Sequence, residues 1–395
     1  MAAARRIGVA ERRARLATRH HLAPHARAAA PADVARDLVG LHGTDPASVF
    51  LAIQARTIGH ASAQAIERVM YEERALMRML AMRRTMFAVA TEFAPVVQAA
   101  CTDEIAQRQR RRYVQFLTRS GVAGDAAAWL TDVEESTARA IAVRGEATAA
   151  ELTADEPRLR QQIMLAEGKS YGGPQGVSTW VLLLLAADGK IVRGRPRGSW
   201  TSSQYRWLPV EEWLPGGMPP MPATAARAEL LRRWLAVSGP ATADDLKWWS
   251  GWTAGQVKAA AAQAGATEID LDGSPGMVLA GDEDPPPAVE PWAALLPALD
   301  PTVMGWRARD WYLGVHGPAL TDRSGNIGPS VWWDGRVIGG WAQRRDGGIA
   351  YRLLEDAGSA AVAAVAQEAE RLRGWICPAR VTPRFRTPLE RDLSR

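Results

Sequence analysis

Ser238-Gly239-Pro240-Ala241-Thr242-Ala243-Asp244-Asp245-Leu246 follows a helical run over 226–237, and its order decides the fold. Gly-Pro ends the first helix. Thr242 can accept a hydrogen bond from the next helix's free backbone N–H groups, and Leu246 locks that helix onto the first. Ser250-Gly251-Trp252-Thr253 opens another helix through Ala262. Glu268–Leu271, Asp272-Gly273-Ser274-Pro275-Gly276 and Met277–Ala280 then read as strand, turn and strand. Helix-turn-helix followed by a hairpin is the order of a winged helix. The same order occurs earlier. Asp132 precedes a helix through Val143, Gly145-Glu146-Ala147-Thr148 leads into Ala149-Ala150-Glu151-Leu152, and Gly189–Gly194 with Gln204–Trp207 supplies the hairpin.

Working outward, 32–40 reads as a helix between Pro31 and Gly40, and Pro46 opens another through Arg56. The stretch 60–80 reads as helical, Thr85–Ala90 as a strand, and Thr91 with Glu92 as the start of a helix past Cys101; an arginine-rich helix covers 103–118. Pro215–Ala223 and Gly281–Pro291 are linkers. Beyond them Asp310–Leu313, Gly328–Trp333, Arg336–Trp341 and Gly348–Arg352 read as strands, with Asp334-Gly335 as a hairpin turn. A helix over 359–373 and an irregular tail after Pro378 complete the chain. The expected fold is α+β. Tandem winged-helix (helix-turn-helix) domains occupy 1–125, 126–215 and 224–282, and a β-barrel-like domain, a small barrel or curled sheet, occupies 290–385.

Composition bounds the function. With 395 residues, 47% hydrophobic and 23% charged, the chain can bury several cores. The net charge of +5 permits an anionic partner. Only Cys101 and Cys377 are present, so neither a disulfide framework nor a Cys-x-x-Cys zinc pattern is indicated. His21 and His25 are four apart, but Leu22-Ala23-Pro24 between them lacks the glutamate of a zinc-hydrolase motif, and no metal or cofactor is expected. No stretch has signal-peptide or membrane-spanning character, the longest strongly apolar run being Trp180–Ala187, and a cytoplasmic location is expected.

Residues 190–207 hold five cations and no acid. Arg193, Arg195 and Arg197 on a wing can straddle phosphates; the alternative is a solvated loop. Arg108, Arg110, Arg111 and Arg112 cannot share one helix face, so a DNA-facing role for Arg111 stands beside a plain surface one. Arg307 and Arg309 precede the first expected strand of the last domain, on the expected DNA side or in an aromatic rim. His42-Gly43-Thr44-Asp45-Pro46 places polar groups at a helix N-terminus, where an anion or polarised water is favoured. His42 can serve as a base and Thr44 can orient water. Equally, Asp45 can cap the helix and His42 can be a hinge residue. The tryptophans, all at or after Trp129, are read chiefly as core.

Leu38-Val39-Gly40-Leu41 through Ala55-Arg56, Met82-Arg83-Arg84-Thr85-Met86-Phe87, and Gly328-Pro329-Ser330-Val331 with Asp334–Gly339 together resemble a known family, from about residue 10 to residue 385. They are similar to the bacterial winged-helix proteins that include the AlkZ and YcaQ DNA glycosylases. The resemblance implies three tandem winged-helix motifs and a C-terminal β-barrel curved around double-stranded DNA. It also implies enzymes that cleave the N-glycosidic bond of alkylated or crosslinked bases; the expected partner is double-stranded DNA, bulky-alkylated duplexes included, and the expected state is a monomer. The family's Gln-x-Gln or Gln-x-Asp motif falls on His42-Gly43-Thr44, so both functional positions are substituted, and adjacent Asp45 is the carboxylate at hand. The relatives' Arg-x-Thr-x-His element reads Arg83-Arg84-Thr85-Met86-Phe87, without its histidine; Arg83 and Arg84 remain as DNA contacts. The expected function is DNA glycosylase, with a non-catalytic winged-helix DNA-binding protein or transcription regulator as the alternative.

Overall fold

The computed structural model describes residues 5–165 and 173–395. It is a mixed α+β protein in which one arrangement recurs. A short strand leads into a helix and pairs with the second strand of a later hairpin. Leu41–His42 precedes helix Pro46–Gln54 and pairs with Thr85–Ala90, which in turn pairs with Leu76–Ala81. Ala147–Thr148 precedes helix Ala149–Asp155 and pairs with Tyr205–Pro209, the partner of Ile191–Pro196. Ala241 bridges to Met277 ahead of helices Ala243–Ser250 and Ala254–Ala264, and Ala266–Leu271 pairs with Ser274–Leu279. Arg6–Ile7 adds to this last hairpin in parallel.

Local chemistry explains the helix starts. Thr148, Thr242 and Thr253 each accept a hydrogen bond from the N–H three residues on, and Glu151, Asp245 and Gln256 reach back to the threonine N–H. This reciprocal pairing satisfies two otherwise orphaned donors per helix.

Three expectations require correction. The stretch 60–80 is not one helix. Helical structure ends at Glu72, and Leu76–Ala81 is a strand with all six residues buried. A strand covered on both faces shows no polar alternation, so an apolar run reads equally as helix. Asp310–Leu313 is a helical turn, not a strand; Trp311, Tyr312 and Leu313 are all buried, and their aromatic and branched character imitates a strand. The tail contains helix Pro388–Leu393, capped by Thr387 on the N–H of Glu390.

The C-terminal sheet is open. Ala293–Leu296, Ser330–Trp333, Arg336–Gln343 and Ile349–Leu353 lie in that order, and its two edge strands do not pair with each other. Helix Gly358–Ile376 packs on it instead of closure into a barrel. Trp292, Trp306, Trp311, Trp332 and Trp341 are buried here, filling core as expected.

Distant segments are tied by buried charge. Arg56 and Asp300 are both wholly excluded from solvent and pair through two hydrogen bonds, of 2.6 and 2.8 Å. Arg15, also buried, binds Glu11 and Asp282, joining the N-terminal helix to the linker after the third hairpin. Among the described residues no helix is long and apolar enough to cross a membrane.

Candidate active site and nucleic-acid interface

The segment 42–45 is held where a two-residue strand meets a helix. His42 pairs with Phe87, and the Gly43 N–H donates to the Met86 carbonyl at 2.7 Å. A side chain at 43 would bring its Cβ within 3.2 Å of the Arg78 guanidinium, so glycine here admits the close approach of that cation to the backbone.

The candidate catalytic residues do not converge. Thr44 is half-buried, and its Oγ1 is buried without a hydrogen-bond partner among the described residues. It lines a cavity of about 590 Å³. His42 points away, into a small separate cavity shared with Arg83 and Trp249, its ring 5.0 Å from that of Phe87. Burial, then the positive charge of Arg83, pulls its pKa down to about 3, so the imidazole is neutral at physiological pH. Asp45 is buried and caps helix Pro46–Gln54, accepting from the N–H of Ala47 at 3.2 Å and of Arg384 at 3.1 Å. Its burial raises its pKa, and the two backbone donors oppose that rise. Its carboxylate is therefore occupied in the way of a cap.

The proposed wing cations also divide. Arg193 and Arg197 line the Thr44 cavity. Arg193 lies 4.5 Å over the Trp207 ring and donates to the Met86 sulfur at 3.2 Å, whereas Arg197 is exposed. Arg195, two residues from each, would share their face on a regular strand, but the pairing register shifts between Arg193 and Pro196, and Arg195 is turned elsewhere and pairs with Glu67 and Glu72. Arg83 and Arg84 adopt left-handed backbone (φ 54° and 60°) in the turn between strands Leu76–Ala81 and Thr85–Ala90. Arg83 lies 3.9 Å and Arg309 4.7 Å over Trp248, so the two cations meet at one indole outside the Thr44 cavity. Arg84 donates to Gln109. Arg307 is exposed and pairs with Asp244 at 3.5 Å; Arg111 is exposed on helix Asp103–Ser120, while neighbouring Arg110 pairs with Glu134 and Asp188.

Sequence reasoning missed three cavity residues. Arg78 is buried in strand Leu76–Ala81, 5.3 Å over the Tyr205 ring. Tyr205 and Arg384 also face the cavity. A single cation inside Leu-Met-Arg-Met-Leu-Ala was the available signal for Arg78, since arginine is almost never fully buried without a purpose. Among the described lining residues there is neither a carboxylate nor an imidazole, so the site is strongly cationic.

Fold and site thus define an α+β protein with a cation-lined cavity beside a glycine-threonine turn. The family model described as DNA glycosylase AlkZ-like matches residues 35–375. The chain belongs to the AlkZ-like DNA glycosylase family. The structure of the Streptomyces sahachiroi DNA glycosylase AlkZ superposes with a TM-score of 0.72 at 21% identity, over 94% of this chain and 97% of that one; this likeness supports the fold. A search of curated protein sequences returns no match.

Proposed function

We propose that the protein acts as a monomer on double-stranded DNA and hydrolyses the N-glycosidic bond of an alkylated or crosslinked base, bulky adducts included. Family membership supplies the reaction class. The observation that carries the site is that Thr44, standing where the family's catalytic motif ends, shares one cavity with Arg78, Arg193, Arg197 and Arg384. The three recurrent helix-and-hairpin units support reading 1–125, 126–215 and 224–282 as winged-helix domains, with the open sheet domain over 290–385.

In this reading the arginines hold backbone phosphates and the Thr44 hydroxyl orients a water. The water oxygen bonds to C1′ as the C1′–N bond breaks. The electron pair of that bond passes to the base, which leaves neutral if it was a cationic alkylpurine, and the water's proton goes to solvent. A weak bond of this kind requires little basic assistance, consistent with a cavity that has no carboxylate among its described lining residues. His42 and Asp45 act as positioning residues, one seating the strand before Thr44 and the other fixing the helix after it. Arg83, Arg84, Arg111, Arg307 and Arg309 are proposed as outer contacts to the duplex.

The lack of a carboxylate among the described lining residues also favours a second reading, a DNA-binding member of the family without turnover. Release of free base from a panel of alkylated and crosslinked duplexes separates the two. Release supports the first reading; tight, salt-dependent binding with no release from any duplex supports the second.

A further inference from the structure

The cavity has an inner and an outer part, and the inner part holds cationic and hydroxyl donors left without acceptors among the described residues. Arg78 is only 4% exposed. Its Nη1 reaches the Gly43 carbonyl at a long 3.4 Å, and its Nε and Nη2 have no partner among the described residues. A guanidinium offers five donors in a fixed fork, and donors left dry and unpaired favour any acceptor that reaches them. The neighbouring cation adds to this. Arg193 lines the same cavity, and its only polar partner among the described residues is a methionine sulfur, a weak acceptor. The carboxylate whose charge acts on Arg78, that of Asp45, is engaged by two backbone N–H groups.

Burial pulls the Arg78 pKa down, but Tyr205, Tyr71 and Asp45 more than offset it, and Arg78 stays charged. Thr44 and Tyr205 line the same cavity, and their hydroxyls are likewise buried without partners among the described residues. Two cations and two hydroxyls, with no carboxylate bonded to them among the described residues, form a site that a single oxyanion completes. A tetrahedral phosphate presents acceptors on every side and matches the guanidinium fork bidentately.

We infer that Arg78, Arg193, Thr44 and Tyr205 form an internal phosphate pocket that takes one phosphodiester of the bound strand, distinct from the surface contacts of Arg197 and Arg384. Assigning that phosphate to DNA rests on the DNA reading above; the pocket itself does not. The consequence is positional. One linkage is drawn inward to Arg78, and the adjoining sugar is then set against the Thr44 turn. The strand is thereby registered by a buried contact and not only by long-range attraction.

Two measurements without turnover test this. The first compares thermal midpoints of the full-length protein in inorganic phosphate and in chloride at matched ionic strength. Phosphate should raise the wild-type midpoint, leave Arg78→Met unmoved, and still raise Arg195→Met, whose cation lies outside the pocket. The second scans an unmodified-base duplex with single neutral methylphosphonate linkages. One linkage should weaken wild-type binding roughly tenfold, the value of a charge-assisted hydrogen bond, and should cost Arg78→Met less than twofold. If Arg78→Met does not fold, Arg193→Met takes its place, and the wild-type scan stands alone. A phosphate shift without any sensitive linkage would keep the anion pocket and overturn its assignment to DNA. No shift and a flat scan would overturn both, whatever the outcome of base-release assays.

Discussion

The carboxylate of Asp45 accepts the backbone N–H of Arg384 at 3.1 Å, across 339 residues of sequence. The same carboxylate caps helix Pro46–Gln54. One side chain thus fixes the turn that carries Thr44 and docks the segment that brings Arg384 to the cavity. Asp45→Ala should lose a cap worth about 1 kcal/mol and leave a backbone donor unpaired at a cost of about 1–3 kcal/mol. Urea unfolding should show the loss, and limited proteolysis after Pro378 should quicken. An unchanged midpoint with an unchanged cleavage rate would mean that the contact does not hold the tail.

His42 is buried neutral, so its effect on stability has a definite sign. Its ordinary pKa of 6.5 falls to about 3 in the folded chain. Between those values the unfolded chain binds a proton that the folded chain refuses. Stability is therefore complete above the upper value and is lost as pH falls through the window. His20 acts in the same direction, driven well below 6.5 by burial and by Arg56. His42→Gln should make the urea midpoint less sensitive to acidification from about pH 7 to about pH 5 than that of wild type. It should also leave the pH dependence of kcat/KM unaltered near neutrality. A neutral-range inflection abolished by His42→Gln would show that His42 titrates as a catalytic base.

The Arg56–Asp300 pair is dry on both sides. Removing one partner strands a buried charge, so Asp300→Ala should cost about 3–5 kcal/mol. The Arg56→Met, Asp300→Leu double variant should recover much of that loss. Calorimetric midpoints give the comparison. Equal destabilisation by single and double variants would contradict the assignment of the cost to the unpaired charge.

Arg195 and Arg197 are two residues apart but differ in surroundings. Glu67 and Glu72 occupy Arg195, whereas Arg197 is exposed at the cavity. Arg197→Ala should lower duplex affinity several-fold and reduce the salt slope by about one unit. Arg195→Ala should change either by little. A larger effect at Arg195 would mean that DNA displaces both glutamates.

What was legible in the sequence was local. Thr148, Thr242 and Thr253 announce their helices because a cap and its partner lie three residues apart. Asp334-Gly335 announces its hairpin for a similar reason, both residues taking positive φ in the turn. The last helix was equally legible in Thr387-Pro388-x-Glu390 but was passed over in a proline-rich tail. Tertiary burial was less visible. Leu76–Ala81 lost its alternation because both faces are covered, and with that loss Arg78 went unnoticed. The division of Arg193 from Arg195 depends on Glu67 and Glu72, more than a hundred residues away, and no local pattern carries it. His42, Thr44 and Asp45 are adjacent in sequence, yet strand, turn and cap send their side chains in three directions.

The central claim is that the Thr44 cavity is where a base leaves DNA. It is tested most directly by measuring free base released from alkylated and crosslinked duplexes by wild type and by Thr44→Val, which keeps the side-chain shape and removes the hydroxyl. The account predicts release by wild type and a loss of at least about tenfold in the variant, measured at saturating DNA and with the unfolding midpoint little changed. Release at the same rate by both proteins, or by neither, would contradict it.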